Sequence, residues 1–366
     1  MKRKEALILS FIILLSSFFV LSSSSSVMGE ELSLTKIGQF EGCYFAYDVQ
    51  VENDIAYIAD AGDGFWILNV SNSTNPTVLS HKLLGGVEHC VYVENNVAFV
   101  TDYQNGLKIF DVSNPINPQQ IGQFVNGNEI SIVGTDNDIA CIGDPFLSIL
   151  NISDLTHPTE IYRDDDLPVI DLIIHEDVLF CLDLFHGLII LNISNPALPV
   201  EINQWVTAGP WYRDIEILDD VIFMASNIGL KALNISSLTS LQELNTNTGG
   251  NAVRSLDISD NLLYISESDV NLIIFNITDI DSFEEVGRYT EAGVVINSIF
   301  VSNDVIYATA ESDGLIIIGK ESSANTNETH SAPYIIGLFG LTMIGIINLL
   351  KRKKTLTRNK LSYKTI

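Results

Sequence analysis

"LTKIGQF" occupies residues 34–40, directly after a hydrophobic leader, and its last four letters return at 121–124 in "PQQIGQF". A near copy, "EEVGRY", follows at 284–289. Each later copy ends a longer unit; the first stands at the front of the chain with no unit before it. The units align as "GFWILNVSNSTNPTVL" from Gly64, "GLKIFDVSNPINPQQI" from Gly106, "FLSILNISDLTHPTEI" from Phe146, "GLIILNISNPALPVEI" from Gly187, "GLKALNISSLTSLQEL" from Gly229 and "NLIIFNITDIDSFEEV" from Asn271, with a truncated "GLIIIGKESS" from Gly314. Asn69, Asp111, Asn151, Asn192, Asn234 and Asn276 share one column. Their period of about 40–45 residues, with strand-like content, is the mark of a propeller blade.

Each unit parses into four strands. In the first, the expected strands are 47–51, 55–60, 65–70 and 77–82, separated by turns rich in Asn, Asp, Gly and Pro. The third strand is apolar almost throughout, as suits a strand covered on both faces. Seven sets of the first three strands begin near Tyr47, His89, Ser131, Ile170, Arg213, Arg254 and Asn297, but only six are followed by a fourth. After Gly319 the chain runs into the polar "ESSANTNETHSA". The orphan "TKIGQF" supplies the missing strand. The expected fold is therefore all-β, a seven-bladed β-propeller over residues 33–319, closed by an N-terminal strand that completes the last blade by pairing around 314–319. Such closure hides a strand edge and ties together the ends of a quasi-one-dimensional array.

The pattern Gly-Leu-x-Ile-x-Asp/Asn-Val/Ile-Ser-Asn-Pro-x-x-Pro, closest in "GLKIFDVSNPINP" (106–118) and "GLIILNISNPALP" (187–199), resembles the LVIVD-repeat family of β-propellers from archaeal and bacterial surface proteins. The motif decays in "SSLTSL" and "TDIDSF", which lack both prolines. The resemblance implies a propeller in an extracellular setting and no defined activity.

The termini read differently. Lys2, Arg3 and Lys4, the apolar Ala6–Leu21 run and a small-residue stretch to Gly29 form the order of a secretory signal peptide over 1–29; a permanent N-terminal anchor is the alternative. A polar stalk at 320–332 precedes a transmembrane helix expected over 333–350, whose uncharged run from Tyr334 to Leu350 is long enough to span. The basic tail 351–366 begins with Lys351, Arg352, Lys353 and Lys354, which places it in the cytoplasm and the body outside the cell membrane. A buried core helix would not explain that basic stop. Of 46 acidic and 19 basic residues, one acid and ten bases lie in the leader or after Leu350, leaving 45 acids against nine bases between them. Such a surface repels nucleic acid and anionic lipid, so nucleic acid is excluded as a partner.

No P-loop, GxSxG, HExxH or CxxC pattern occurs, and no catalytic or metal-ligand set is assigned. In a propeller, equivalent strands meet at the axis, so the first-strand columns carry the candidates. One column holds Tyr47, His89, Ser131, Ile170, Arg213, Arg254 and Asn297; the next holds Asp48, Cys90, Ile132, Asp171, Asp214, Ser255 and Ser298. Tyr47, Asp48, His89, Asp171, Arg213, Asp214 and Arg254 are the candidate ligand-binding residues at a channel mouth. Arg213 and Arg254, on neighbouring blades, could grip a carboxylate or phosphate, or could pair with Asp171, Asp214 or Asp257. A column closing the second strand (Asp60, Asp102, Asp144, Asp183, Ser226, Ser266, Thr309) is expected to satisfy turn N–H groups. Asp60 with Asp63 offers hard oxygen ligands for Ca²⁺, without a supporting spacing. Cys43, Cys90, Cys141 and Cys181 are expected as small buried hydrophobes, with a Cys141–Cys181 disulfide permitted in an exported body. Five of seven Asn-x-Ser/Thr sequons fall in the repeat column; Asn72 and Asn327 are the better glycosylation candidates.

These features describe a membrane-anchored extracellular binding module for a protein, glycan or small ligand. An extracellular hydrolase or lyase with an axial site, and a structural cell-envelope component, are the alternatives.

Overall fold

The structure, a computed structural model, describes residues 32–321 apart from 128, 145, 184–186, 207–209, 245–250, 269 and 281. The signal segment, the stalk beyond Glu321, the expected transmembrane helix and the basic tail lie outside the described residues. The chain divides into two units, Met1–Glu321 and Ser322–Ile366, and every described residue belongs to the first. Among the described residues no helix is long and apolar enough to cross a membrane.

Among the described residues all regular structure is β. Strand β1 is Leu32–Phe40. The first set is β2 (Ala46–Glu52), β3 (Ile55–Asp60), β4 (Gly64–Asn69) and β5 (Thr77–Lys82). The second is β6 (Glu88–Glu94), β7 (Val97–Asp102), β8 (Gly106–Asp111) and β9 (Gln119–Phe124). The third is β10 (Ile132–Asp136), β11 (Ile139–Asp144), β12 (Phe146–Asn151) and the front of β13 (Thr159–His175). The back of β13 opens the fourth, with β14 (Val178–Asp183), β15 (Gly187–Asn192) and β16 (Val200–Trp205). The fifth is β17 (Tyr212–Leu218), β18 (Val221–Ser226), β19 (Gly229–Asn234) and the short β20 (Gln242–Glu243). The sixth is β21 (Val253–Ser259), β22 (Leu262–Glu267), β23 (Asn271–Asn276) and β24 (Glu284–Tyr289). The seventh has β25 (Ser298–Ser302), β26 (Val305–Thr309) and β27 (Leu315–Lys320). Within each set the strands form an antiparallel meander.

Strand β1 completes the seventh set. It pairs antiparallel with β27, Thr35 opposite Gly319 and Phe40 opposite Leu315, as the sequence echo implied. Three of the echo's four letters have matching contacts in the second set. A Cβ on Gly38 would lie 1.9 Å from the Ser73 carbonyl, and one on Gly122 would lie 1.9 Å from the Leu155 carbonyl, so both strands press backbone-first against the next set's turn. Gln39 donates its Nε2 to the Asp313 carbonyl (2.9 Å), as Gln123 does to Asn105 (2.8 Å). Gly314, at φ +75, lies under the Phe40 carbonyl as Gly106, at φ +86, lies under that of Phe124. A short parallel pairing of Leu32 and Ser33 with Gly287 and Arg288 of β24 and a Lys36–Glu291 ion pair (2.6 Å) fix the start of β1.

Burial follows from the alternation within strands. Among the described residues seven hydrophobic clusters form, each between two successive sets. The last joins Tyr307, Leu315 and Ile317 of the seventh set to Val49, Val51, Ile58 and Leu68 of the first. The sheets thus follow one another in a closed, β-propeller-like cycle, with the first strands of all sets around one central cavity.

Two features differ from expectation. The fourth strand of the third set and the first of the fourth form one continuous strand, β13, whose pairing changes from β12 to β14 on either side of Pro168. Proline is tolerated there because the junction is where one ladder ends and the next begins. The four cysteines are buried and free, so the permitted Cys141–Cys181 disulfide is not formed, although both thiols share one interface cluster.

Candidate functional site

The inner strands are bent by a register shift at one place. In β2 the pairing with β3 skips Tyr47; in β13 it skips Ile170, in β17 Arg213 and in β21 Arg254; in β6 it skips His89 and Cys90. Each skip is a β-bulge, which re-aims the side chain that carries it. Apart from Cys90, the bulged residues are members of the first column, and all of that column lines a central cavity of about 880 Å³.

Below this mouth alternate residues of the first strands form two inner rings. The second polar column, from Asp48 to Ser298, forms the upper ring, and Gln50, Tyr92, Gly134, Ile173, Glu216, Asp257 and Phe300 form the lower. Their polar atoms clasp successive sets together. Asp48 accepts the Val91 N–H (2.9 Å), Asp171 that of Ile215 (2.9 Å), Asp214 that of Leu256 (2.7 Å) and Ser255 that of Ile299 (3.2 Å). Gln50 and Asp257 do the same to Val93 and Val301 in the lower ring. The cycle closes where Ser298 donates to Asp48 (2.8 Å), Asn297 to the Ala46 carbonyl (3.0 Å) and Thr309 to the Tyr47 carbonyl (3.0 Å).

These bonds set the electrostatics. Burial pushes the Asp48 carboxyl up, against the pull of the N–H groups it accepts. Burial, and for Asp171 the adjacent Asp214 carboxyl, raise that pair, whose carboxyls are joined by a hydrogen bond. Glu216 rises for the same reasons, burial first and then Asp214 and Asp257, and burial pushes Asp257 up to about 6. The acid-lined wall thus carries less charge than its composition suggests.

The mouth is different. His89 stacks on Tyr47 (4.4 Å between ring centres) and on Tyr103 (5.4 Å), and burial lowers its pKa, which favours the neutral ring. Neither the Tyr47 hydroxyl nor the His89 ring has a hydrogen-bond partner among the described residues. Around the ring, Arg213 and Arg254 sit side by side: burial and then the Arg254 charge lower the Arg213 pKa. Arg254 faces the Asn297 side-chain carbonyl at 3.5 Å. Neither guanidinium forms an ion pair with Asp171, Asp214 or Asp257, so the pairing alternative is not what the structure contains. Trp211, 67% exposed, stands two residues before Arg213.

The seven candidate residues therefore line one cavity but divide by role. Tyr47, His89, Arg213 and Arg254 stand at the mouth, while Asp48, Asp171 and Asp214 hold strands together. The bulges and the clasps escaped sequence reasoning; a signal was present in the 42–44-residue offset between each acid and the N–H it accepts. The second-strand column is partly as expected. Asp102 accepts the Gln104 and Asn105 N–H groups of its turn (both 3.0 Å). Asp60 instead binds the incoming loop, taking the Tyr44 and Phe45 N–H groups (2.8 and 2.6 Å) and the Trp66 indole (3.1 Å). The Asp144 side chain and Asn327 lie outside the described residues. Among the described residues no group of three or more His, Cys, Asp or Glu is arranged to hold a metal ion.

Comparison with known proteins adds the following. Residues 45–81, 85–125, 130–166, 169–207 and 249–291 each match the LVIVD repeat. The matches cover more than half of the chain and omit the fifth and seventh sets. No curated protein matches the sequence. Among solved structures, the crystal structure of the computationally designed Ika8 protein superposes with a TM-score of 0.56 at 10% identity, covering 80% of this chain and 100% of that one. At that identity the likeness concerns fold alone.

Proposed function

We propose that this chain, which belongs to the LVIVD-repeat family, is an exported seven-bladed β-propeller whose axial mouth binds a ligand at the cell surface. One observation carries the reading. In the inner rings Asp48, Gln50, Asp171, Asp214, Ser255 and Asp257 are engaged by neighbouring strands, whereas four polar or charged mouth residues, Tyr47, His89, Arg213 and Arg254, are turned by bulges into a cavity without strong internal partners. A concave site of this size with a few convergent polar groups is the usual form of a small-ligand site. The seven sets, closed by β1, supply the rigid frame.

The order basic–apolar–small at the start supports export. The uncharged run to Leu350, followed at once by Lys351–Lys354, supports a single C-terminal span with the tail in the cytoplasm. The acidic body suits an extracellular surface, and Asn72, exposed with its Oδ1 held by Thr74, is available for glycan. The hydrolase or lyase alternative needs a free acid or base at the axis. Asp171 and Asp214 are already engaged by strand N–H groups, and His89 has no carboxylate beside it. Binding is the better supported reading.

The test compares the full chain displayed on intact cells with a variant in which Tyr47, His89, Arg213 and Arg254 are all alanine. Surface-captured glycans and small molecules should be retained by the first and lost by the second. Equal retention would place the binding surface elsewhere on the body.

A further inference from the structure

The ligand class can be narrowed, on the reading of the mouth as a binding site. Six of the nine body bases form ion pairs: Lys36, Lys108, Arg163, Lys231, Arg288 and Lys320 each reach an acid. In a body with five acids for each base, pairing is the default. Lys82, Arg213 and Arg254 depart from it among the described residues, and of these only the two arginines line the cavity, together with Asp171, Asp214, Glu216 and Asp257. The two positive groups instead stand on bulges of adjacent sets, near enough for the Arg254 charge to lower the Arg213 pKa. Two like charges held near one another, Arg213 exposed and Arg254 part-buried, repel, and an anion between them relieves that repulsion. Asn297, fixed by its bond to the Ala46 carbonyl, steadies Arg254 in that position.

We propose that Arg213 and Arg254 form an oxyanion clamp, and that the ligand is a hydroxylated organic acid such as a sugar acid or a sugar phosphate. Its carboxylate or phosphate lies between the two guanidiniums, whose planar forks suit both groups. Its hydroxyls meet the Tyr47 hydroxyl and the His89 ring elsewhere on the same mouth. The cavity of about 880 Å³ holds a ligand of one or two rings.

The test is calorimetric titration of the full chain in detergent micelles with glucuronate, glucose 1-phosphate, inorganic phosphate and glucose. At least one of the two sugar acids should bind about tenfold or more tightly than glucose, and R213A/R254A should weaken that binding by about 100-fold. R213K/R254K, which keeps charge and loses the fork, should fall between. Glucuronate or glucose 1-phosphate as the tighter ligand identifies carboxylate or phosphate as the group held. Inorganic phosphate binding as tightly as glucose 1-phosphate would remove the hydroxyl contacts from the proposal and overturn the sugar-acid class. Glucose binding as tightly as the acids, or acids binding the double variant unchanged, would overturn the clamp; so would no acid binding at millimolar concentration. The comparison of acids with glucose uses the unaltered chain and does not depend on the variant folding. Glucose binding that is lost in Y47A/H89A would keep the mouth as a binding site while removing the acid from it.

Discussion

Glu88 occupies a column that is otherwise apolar. Its counterparts are Ala46, Ile130, Val169, Tyr212, Val253 and Ile296, all buried in the interfaces between sets. Glu88 is fully buried too, and neither carboxyl oxygen has a partner. Beside it lies the buried Asp102–Lys108 pair. Burial, then the Asp102 charge, push Glu88 up to about 7, and Lys108 only partly offsets this. Since its pKa is about 4.3 in the unfolded chain, the neutral form is the one the fold tolerates. Its stabilising effect is complete below roughly pH 4 and is lost as pH rises through 7. Glu88→Gln should therefore gain on the wild type between pH 5 and pH 8, by on the order of 3 kcal/mol in urea denaturation. Parallel pH profiles for the two proteins would refute the assignment. The repeat-column asparagines are the opposite case, legible at once. Asn151 accepts the Ser153 N–H (2.9 Å) and O–H (2.7 Å), as Asn69, Asn192 and Asn234 do with their serines. Asp111 fills the same role in the second set, so the column serves the turn whether or not it carries a sequon. Asn151→Ala should cost about 1 kcal/mol and Asn151→Asp close to nothing, read from thermal unfolding. Glu88 was not legible because an acid one residue before the mouth column looks like any other member of that acidic mouth.

At the scale of elements, alternation and turn residues located the strands to within a residue or so. The turn Asn53–Asp54, both at positive φ, matches the Asx-rich hairpin turn its sequence suggests. The bulges were not legible. A bulge adds one residue to one strand, and no residue type demands it; Tyr, His, Ile and Arg all occupy the position. The fused strand β13 was hidden for a related reason, since Pro168 punctuates the sequence without interrupting the extended backbone. The echo in β1 was legible as homology of position, and the structure supplies its mechanics. Gly38 should be intolerant of a side chain: Gly38→Ala puts a Cβ 1.9 Å from a backbone oxygen that belongs to the first set's turn. A loss of about 2 kcal/mol or more is expected in chemical denaturation, with a matching loss for Gly122→Ala. Near-neutral behaviour at Gly38 beside a large effect at Gly122 would mean that β1 does not sit as β9 does.

For the whole molecule, the seven clusters and the inner-ring clasps make each set depend on its two neighbours, and the last cluster makes the first set depend on the seventh. The frame needs both ends of the body to meet. The period and the missing fourth strand made that closure readable, because both are matters of counting. The chemistry of the mouth was only half readable: the columns named the right residues, but only their bonding separated the strand clasps Asp48, Asp171 and Asp214 from Arg213 and Arg254, which pair with no acid among the described residues. The central claim is that residues 32–40 are an integral strand of the seventh set rather than a leader. Hydrogen–deuterium exchange of the full chain, followed on peptides, tests it most directly. Peptides spanning 32–40 should exchange as slowly as those spanning 106–111 and 315–320, and should lose protection together with them as denaturant is raised. Complete exchange of 32–40 within seconds, while 106–111 and 315–320 remain protected, would contradict it.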